Sequence, residues 1–289
     1  MTDRRGFVFV APLLTGVFFL VLIPGASCAV LSLFRWSLTS PPSFVGLENY
    51  RTLLGLTGGA PDPLFLQAAT NTLILSMAVP LQVAGSFALA LFLRGATPWH
   101  RLLRLVVFLP TLVSPVALYI MWRSIFFADM GLLNLLLGLV GVSAPLWLDD
   151  PGWAKAAVMV VLLWESVGGF QMLFFLAGFR QIPDQLHDMA RLDGLPVTRR
   201  IRDIYWPWMK SLVGFNLCLG FIGAIQGGFE IAFIMTGGGP LRSTTTLSYL
   251  LYENAFQWQK MGYGAAVGIL MFLMISPLLV LKWKGERRE

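Results

Sequence analysis

Charge is scarce in this chain of 289 residues: Asp, Glu, Lys and Arg make up 12% of it, against 56% hydrophobic residues. Soluble globular proteins carry about a quarter charged residues, so a chain this oily is solvated mainly by lipid. Histidine and cysteine are rarer still, with two of each. His100, His187 and two distant cysteines do not make a zinc constellation. Cys28 falls near the outer end of its apolar segment and Cys218 near the inner end of another. That separation excludes a disulfide and suits both to be small buried hydrophobes. No G-x-x-x-x-G-K-[ST] is present, which excludes nucleotide binding by that device. There is no G-x-S-x-G and no Ser-His-Asp arrangement, so an intramembrane enzyme would lack its nucleophile and base. Internal repeats and low-complexity tracts are missing too.

What the chain does have is apolar length. Six segments reach the ~20 residues that a helix needs to cross a bilayer. They are Phe7–Phe34, Thr72–Leu93, Leu105–Ile125, Ala156–Phe179, Ser211–Met235 and Gly262–Leu281. The first follows Arg4 and Arg5 but is longer than a signal-peptide core and ends in no small-x-small site, so it is expected to be retained. Most of the 21 basic residues fall in alternate loops. Arg94, Arg101 and Arg104, then Arg180 through Lys210, and finally Lys282, Lys284, Arg287 and Arg288 sort to the side of Arg4 and Arg5. Arg35, Arg51, Arg123, Lys155, Arg242 and Lys260 sort to the other. Positive charge stays inside, so the expected fold is an all-α membrane protein with six transmembrane helices and both termini cytoplasmic. The net charge of +6 is then topology and calls for no nucleic acid.

Proline lies inside several of these segments: Pro80 in the second, Pro110 and Pro115 in the third, Pro277 in the sixth. Each frees backbone carbonyls and bends its helix, for packing or as a hinge. In the first outer loop VGLENYRTLL predicts a short surface helix with Glu48 and Arg51 at i,i+3. In the second, GLLNLLLGLVG is too short to span and suits the interface.

Polar groups inside spans are costly and mark either interhelical hydrogen bonds or function. Glu165 and Gln171 fall in the fourth segment; Asn216, Gln226 and Glu230 fall in the fifth. Gln226, Glu230 and Glu165 are the foremost candidates for a cavity, while Gln171 and Asn216 also suit interhelical bonds. Gln226-Gly227-Gly228 predicts a broken or widened helix. Neither Lys nor Arg is placed within a span, so a phosphate would find no counter-charge here. Beyond the fifth segment, TGGGPLRSTTTL predicts a flexible loop at the outer mouth, with Gly237, Gly238, Gly239 and Pro240 as a turn or a contact surface.

The most elaborate polar sequence is Gln181 to Trp208, 28 residues with four aspartates and four arginines between two spans. Pro183 and Asp184 suit a first helical turn, and Asp193-Gly194 with Pro196 ends the helix. Leu186, Met189 and Ala190 fall at i, i+3 and i+4 on one small apolar face. A second helix from about Val197 should lead into the fifth span at Pro207. Such a segment is either an interfacial connector or a lever.

This loop resembles the EAA loop of the permease subunits of binding-protein-dependent ABC importers, E-A-A-x-x-x-G, nine residues, then I-x-L-P. The pattern falls on Asp188, Met189, Ala190, Gly194, Ile204 and Trp206-Pro207 with its spacing intact. Asp188, Met189 and Trp206 depart from the usual Glu, Ala and Leu. FVGLENYRTLL, RLLRLVVFLPTLVSPVALYIMW and FEIAFIMTGGGPLRSTTTLSYLLYENAF resemble the carbohydrate-type branch. The resemblance implies a type I importer transmembrane domain over residues 1–289, with its permease core at about 66–283 and its coupling loop at 180–210. It also implies that the chain is not an enzyme and holds no cofactor, ATP and Mg belonging to a partner.

The implied partners are a second homologous permease, two copies of an ABC ATPase, an extracytoplasmic solute-binding protein and membrane lipid, in the bacterial inner membrane. Leu186, Asp188, Met189, Ala190, Asp193, Gly194, Ile204 and Pro207 would couple to the ATPase. The cargo implied is a sugar, oligosaccharide or glycoside; the alternative is glycerol-3-phosphate or a related polyol phosphate. A rival class is a secondary transporter with Glu165 and Glu230 as proton carriers.

Overall fold

Proline and glycine set most of the breaks. A computed structural model describes residues 4–37, 39–56 and 58–286. Arg287 and Arg288, counted above among the inner cations, lie outside them. Among the described residues, four helices are long and apolar enough to cross a membrane: Phe9–Leu31, Pro63–Leu93, Val197–Gln226 and Met261–Leu278. Two bent pairs make six crossings if each pair counts as one: Pro98–Leu112 with Pro115–Ile125, and Pro151–Val167 with Phe170–Phe179.

The third segment, Leu105–Ile125, was expected to bend at its prolines, and the break is a full one. Its helix begins at Pro98 behind the Thr97 cap, tightens to a 3-10 turn at Leu109–Leu112 and restarts at Pro115 after a 97° bend. Pro110 cannot donate to the preceding turn, and Ser114, just before Pro115, takes ψ 132°, outside the helical region. Arg123 needs a correction as well. It sits in the last turn of helix Pro115–Ile125 and donates to the Ile234 carbonyl at 3.2 Å, so that segment does carry a cation.

The fourth segment bends by 40° at Gly168-Gly169. A Cβ on Gly168 would stand 2.4 Å from the Val107 carbonyl oxygen, so only glycine lets these two helices touch backbone to backbone. The fifth starts earlier than Ser211, because Val197–Arg200 runs without a break through a π turn, Ile201–Tyr205, into Trp206–Gln226. The Trp206 N–H bonds to the Ile201 carbonyl, the wide i→i−5 step that accommodates Pro207 one residue on. That helix ends at Gly227 and resumes at Gly228–Ile231, which is the break expected from Gln226-Gly227-Gly228.

Two compact units emerge. One is Met1–Leu66 with Leu247–Met274, the other Gln67–Thr246 with Ile275–Glu289. In the first, no residue in the apolar stretch of helix Phe9–Leu31 is fully buried, and most of its side chains face outward, while the half-buried Cys28 donates its thiol to the Ala265 carbonyl at 3.8 Å. A hairpin of Phe34–Ser37 and Ser40–Phe44 follows, unforeseen because its strands are short and the second is rich in proline. Helix Glu48–Leu54 forms as expected, but Glu48 pairs with Arg35 at 2.5 Å across the loop, not with Arg51.

Among the described residues of the second unit, two cores stand out. Val79, Leu93, Met172, Phe175, Tyr205 and Met209 build one at the inner-loop end. Leu118, Tyr119, Val158, Val161, Ile231 and Met235 build the other. Helix Leu132–Leu139 keeps Leu135, Leu136 and Leu139 exposed, as an interfacial helix should. Cys28 and Cys218 are both free.

Candidate functional site

The polar loop forms helix Asp184–Leu192. Gly194 adopts φ +61°, and the Leu195 N–H bonds back to the Ala190 carbonyl at 3.0 Å, a Schellman ending. Ala190 is buried and Leu186 packs on the inner core, which anchors one face. Met189 and Leu192 stay exposed on the other, as an apolar edge. Ile204 packs on the same core, and Pro207 opens helix Trp206–Gln226.

Asp188 lines a pocket of about 640 Å³ together with Asp184, His187 and four arginines, Arg94, Arg104, Arg180 and Arg200. Two of the arginines, Arg94 and Arg104, come from the preceding inner loop, 94 and 84 positions before Asp188, and are invisible to motif spacing. Tyr205, only 1% exposed, forms the floor. Arg94 donates to its hydroxyl and holds its guanidinium carbon 4.8 Å from the ring centroid.

Within the span region, a cavity of about 250 Å³ opens beside Glu165 and Gln171. Tyr119 donates to the Glu165 carboxylate at 3.0 Å. Gln82 donates to the Leu162 carbonyl at 3.1 Å, and Thr246 to the Gly228 carbonyl at 3.0 Å. Gly220, Gly223, Gly227 and Gly228 leave room on the facing helix. The lining has one carboxylate, two amides and three hydroxyls (Tyr119, Ser166, Thr246) but no lysine or arginine among the described residues.

Gln226 and Glu230 are exposed and do not line this cavity. Asn216 is buried elsewhere, donating to Leu212 at 2.8 Å, its carbonyl oxygen without a hydrogen-bond partner. The cavity instead brings in Tyr119, Gln82 and Thr246, which sequence reasoning passed over. Gln82 could have been found, as an amide inside a span. Tyr119 and Thr246 could not, since hydroxyls are common in spans.

The outer loop takes the turn reading, with more hydrogen bonds than a flexible loop would need. Gly237 and Gly238 take positive φ, and the Gly238 N–H bonds to Ala232 at 3.0 Å. Asn71 donates to the carbonyls of Arg242 and Thr245 at 2.8 and 2.9 Å, and Gln67 to that of Leu241 at 2.9 Å. Ser243, Thr244, Thr245 and Thr246 are buried. Leu241 projects, 84% exposed. Gly239 and Pro240 form the turn just before it.

A family model described as "Binding-protein-dependent transport system inner membrane component" matches residues 52–282. A probable ABC transporter permease protein of Bacillus subtilis, YurN, is 33% identical over 96% of this chain and 94% of its own length. The sulfoquinovosyl glycerol transport system permease protein SmoG of Agrobacterium fabrum is 32% identical over 88% of this chain and 81% of its own. Among solved structures, a chain of a bacterial alginate ABC transporter in complex with an alginate pentasaccharide-bound periplasmic protein superposes with TM-score 0.85. That pair shares 19% identity and covers 99% and 95% of the two chains, which is a likeness of fold.

Proposed function

This chain belongs to the inner membrane components of binding-protein-dependent transport systems, the permeases of ABC importers, and we propose that its cargo is a neutral sugar, oligosaccharide or glycoside. In this family ATP hydrolysis sits in separate ATPase subunits. The observation that carries the choice of cargo is the cavity: amides, hydroxyls and a carboxylate held by Tyr119, without a cation. Sugar hydroxyls donate to a carboxylate and exchange hydrogen bonds with amides, whereas a phosphate needs positive charge. SmoG, named for a glycoside, supports the glycoside part of this reading but not its neutrality, because a sulfoquinovosyl group carries a sulfonate.

The full assembly would add a second similar permease, two ATPase copies and an extracytoplasmic binding protein. Gln226 and Glu230 fit the wall facing that second permease, because an exposed acid on a span must meet water or protein, not lipid. Helix Asp184–Leu192 would dock on the ATPase through Asp188, Asp193, Gly194 and the exposed Met189. ATP binding draws the two docking helices together and opens the spans outward; hydrolysis resets them.

Uptake into proteoliposomes holding the assembled complex tests this. Transport should require ATP, survive a protonophore, and be competed by neutral sugars but not by glycerol-3-phosphate. Competition by the phosphate alone would transfer the cargo to the polyol-phosphate class. Collapse with the proton gradient would point to Glu165 and Glu230 as proton carriers.

A further inference from the structure

Aromatic rings connect the inner loop to the cavity wall. His187, on helix Asp184–Leu192, stands 5.7 Å from the Tyr205 ring. Tyr205 meets Phe179 edge-on at 5.5 Å, and Phe179 meets Phe87 at 5.3 Å. Next in the chain to Phe87 is Ser86, whose hydroxyl lies 3.3 Å from the Gln171 side-chain oxygen in the cavity. Four helices contribute to this column, and each link is a packed contact inside one compact unit.

We propose that Tyr205 is the positioning residue through which a displacement of helix Asp184–Leu192 reaches Gln171. The idea rests on the ABC-permease reading and deepens it. A close-packed interior does not compress, so a ring pushed on one side displaces the ring on its other side. Aromatic side chains carry such displacement well, having only two torsions and large contact faces. Tyr205 is the ring of the column that His187 of the loop helix stands against, and Arg94 fixes it from the inner end of a third helix. Helix Val197–Gln226 alone would carry motion along its own axis to Gly220 and Gly223. It would not carry motion sideways to Gln171, on helix Phe170–Phe179.

The test uses the complex purified with its ATPase, in a background with Cys28 and Cys218 replaced by serine. Spin labels at Leu173 and Leu219, both exposed, report the distance between the two cavity helices with and without MgATP. Tyr205→Phe keeps the ring and should respond to MgATP as the unsubstituted complex does. Tyr205→Leu, with ATPase still co-purifying, should populate the shifted distance about ten-fold less, within the range of residues that carry coupling. Adding His187→Ala to Tyr205→Leu should cost nothing further, because both lie on one column. If Tyr205→Leu fails to assemble, Phe87→Leu should give the same loss. A full response in Tyr205→Leu or Phe87→Leu, or additive losses in the double variant, would overturn the proposal. No MgATP response in the unsubstituted complex would overturn the importer reading with it.

Discussion

Gly194 has open space where a Cβ would stand and still favours glycine. Beyond its two chain neighbours, no atom of the described residues lies within 4 Å of where its Cβ would be, yet its φ of +61° is left-handed. That conformation costs an L residue roughly 1–2 kcal/mol, least for Asn. Gly194→Asn should therefore preserve the helix end and thermal stability. If the open space is where the ATPase packs, it should still weaken ATPase co-purification. Gly194→Val should lose both stability and co-purification, and a Gly194→Asn variant that retains full ATPase binding would remove Gly194 from the docking surface. Asp188 shows what a motif can and cannot say. Its position was legible from spacing, with Ala190, Gly194 and Pro207 in step. Its neighbours were not, because Arg94 and Arg104 join it from a separate loop.

At the scale of elements, the breaks were more legible than their size. Pro110 and Pro115 announced a bend, but its 97° depends on what packs there, including Val107 against Gly168. The outer loop is a related case. Three glycines and a proline look flexible in isolation, whereas Asn71 and Gln67 reach it from helix Pro63–Ser76 and hold its carbonyls. Asn71→Leu would leave two carbonyls without these bonds, at a cost of about 1–3 kcal/mol. Thermal unfolding of the detergent-solubilised complex should show that loss. Leu241→Asp, at the projecting tip, should leave stability unchanged and lower stimulation of the ATPase by the binding protein. Unaltered stimulation would take the tip out of that contact.

For the whole molecule, orientation is the testable claim. A single cysteine at Arg199 should react with an impermeant maleimide only after the inside is opened, and one at Leu241 should react in intact cells. The reverse pattern would invert the topology. Apolar length and the skew of basic residues determined the class, the number of crossings and the expected orientation, because lipid admits few ways to satisfy a backbone. Composition and spacing also determined the polar loop, since helix caps and a fixed motif are local in the chain. The tertiary structure decided the rest. Glu165 and Gln171 meet Tyr119, Gln82 and Thr246 across four stretches of chain, while Glu230 and Asn216 do not join them. Which way a side chain points on a helix that is apolar all round is set by its neighbours, and no period in the sequence records that.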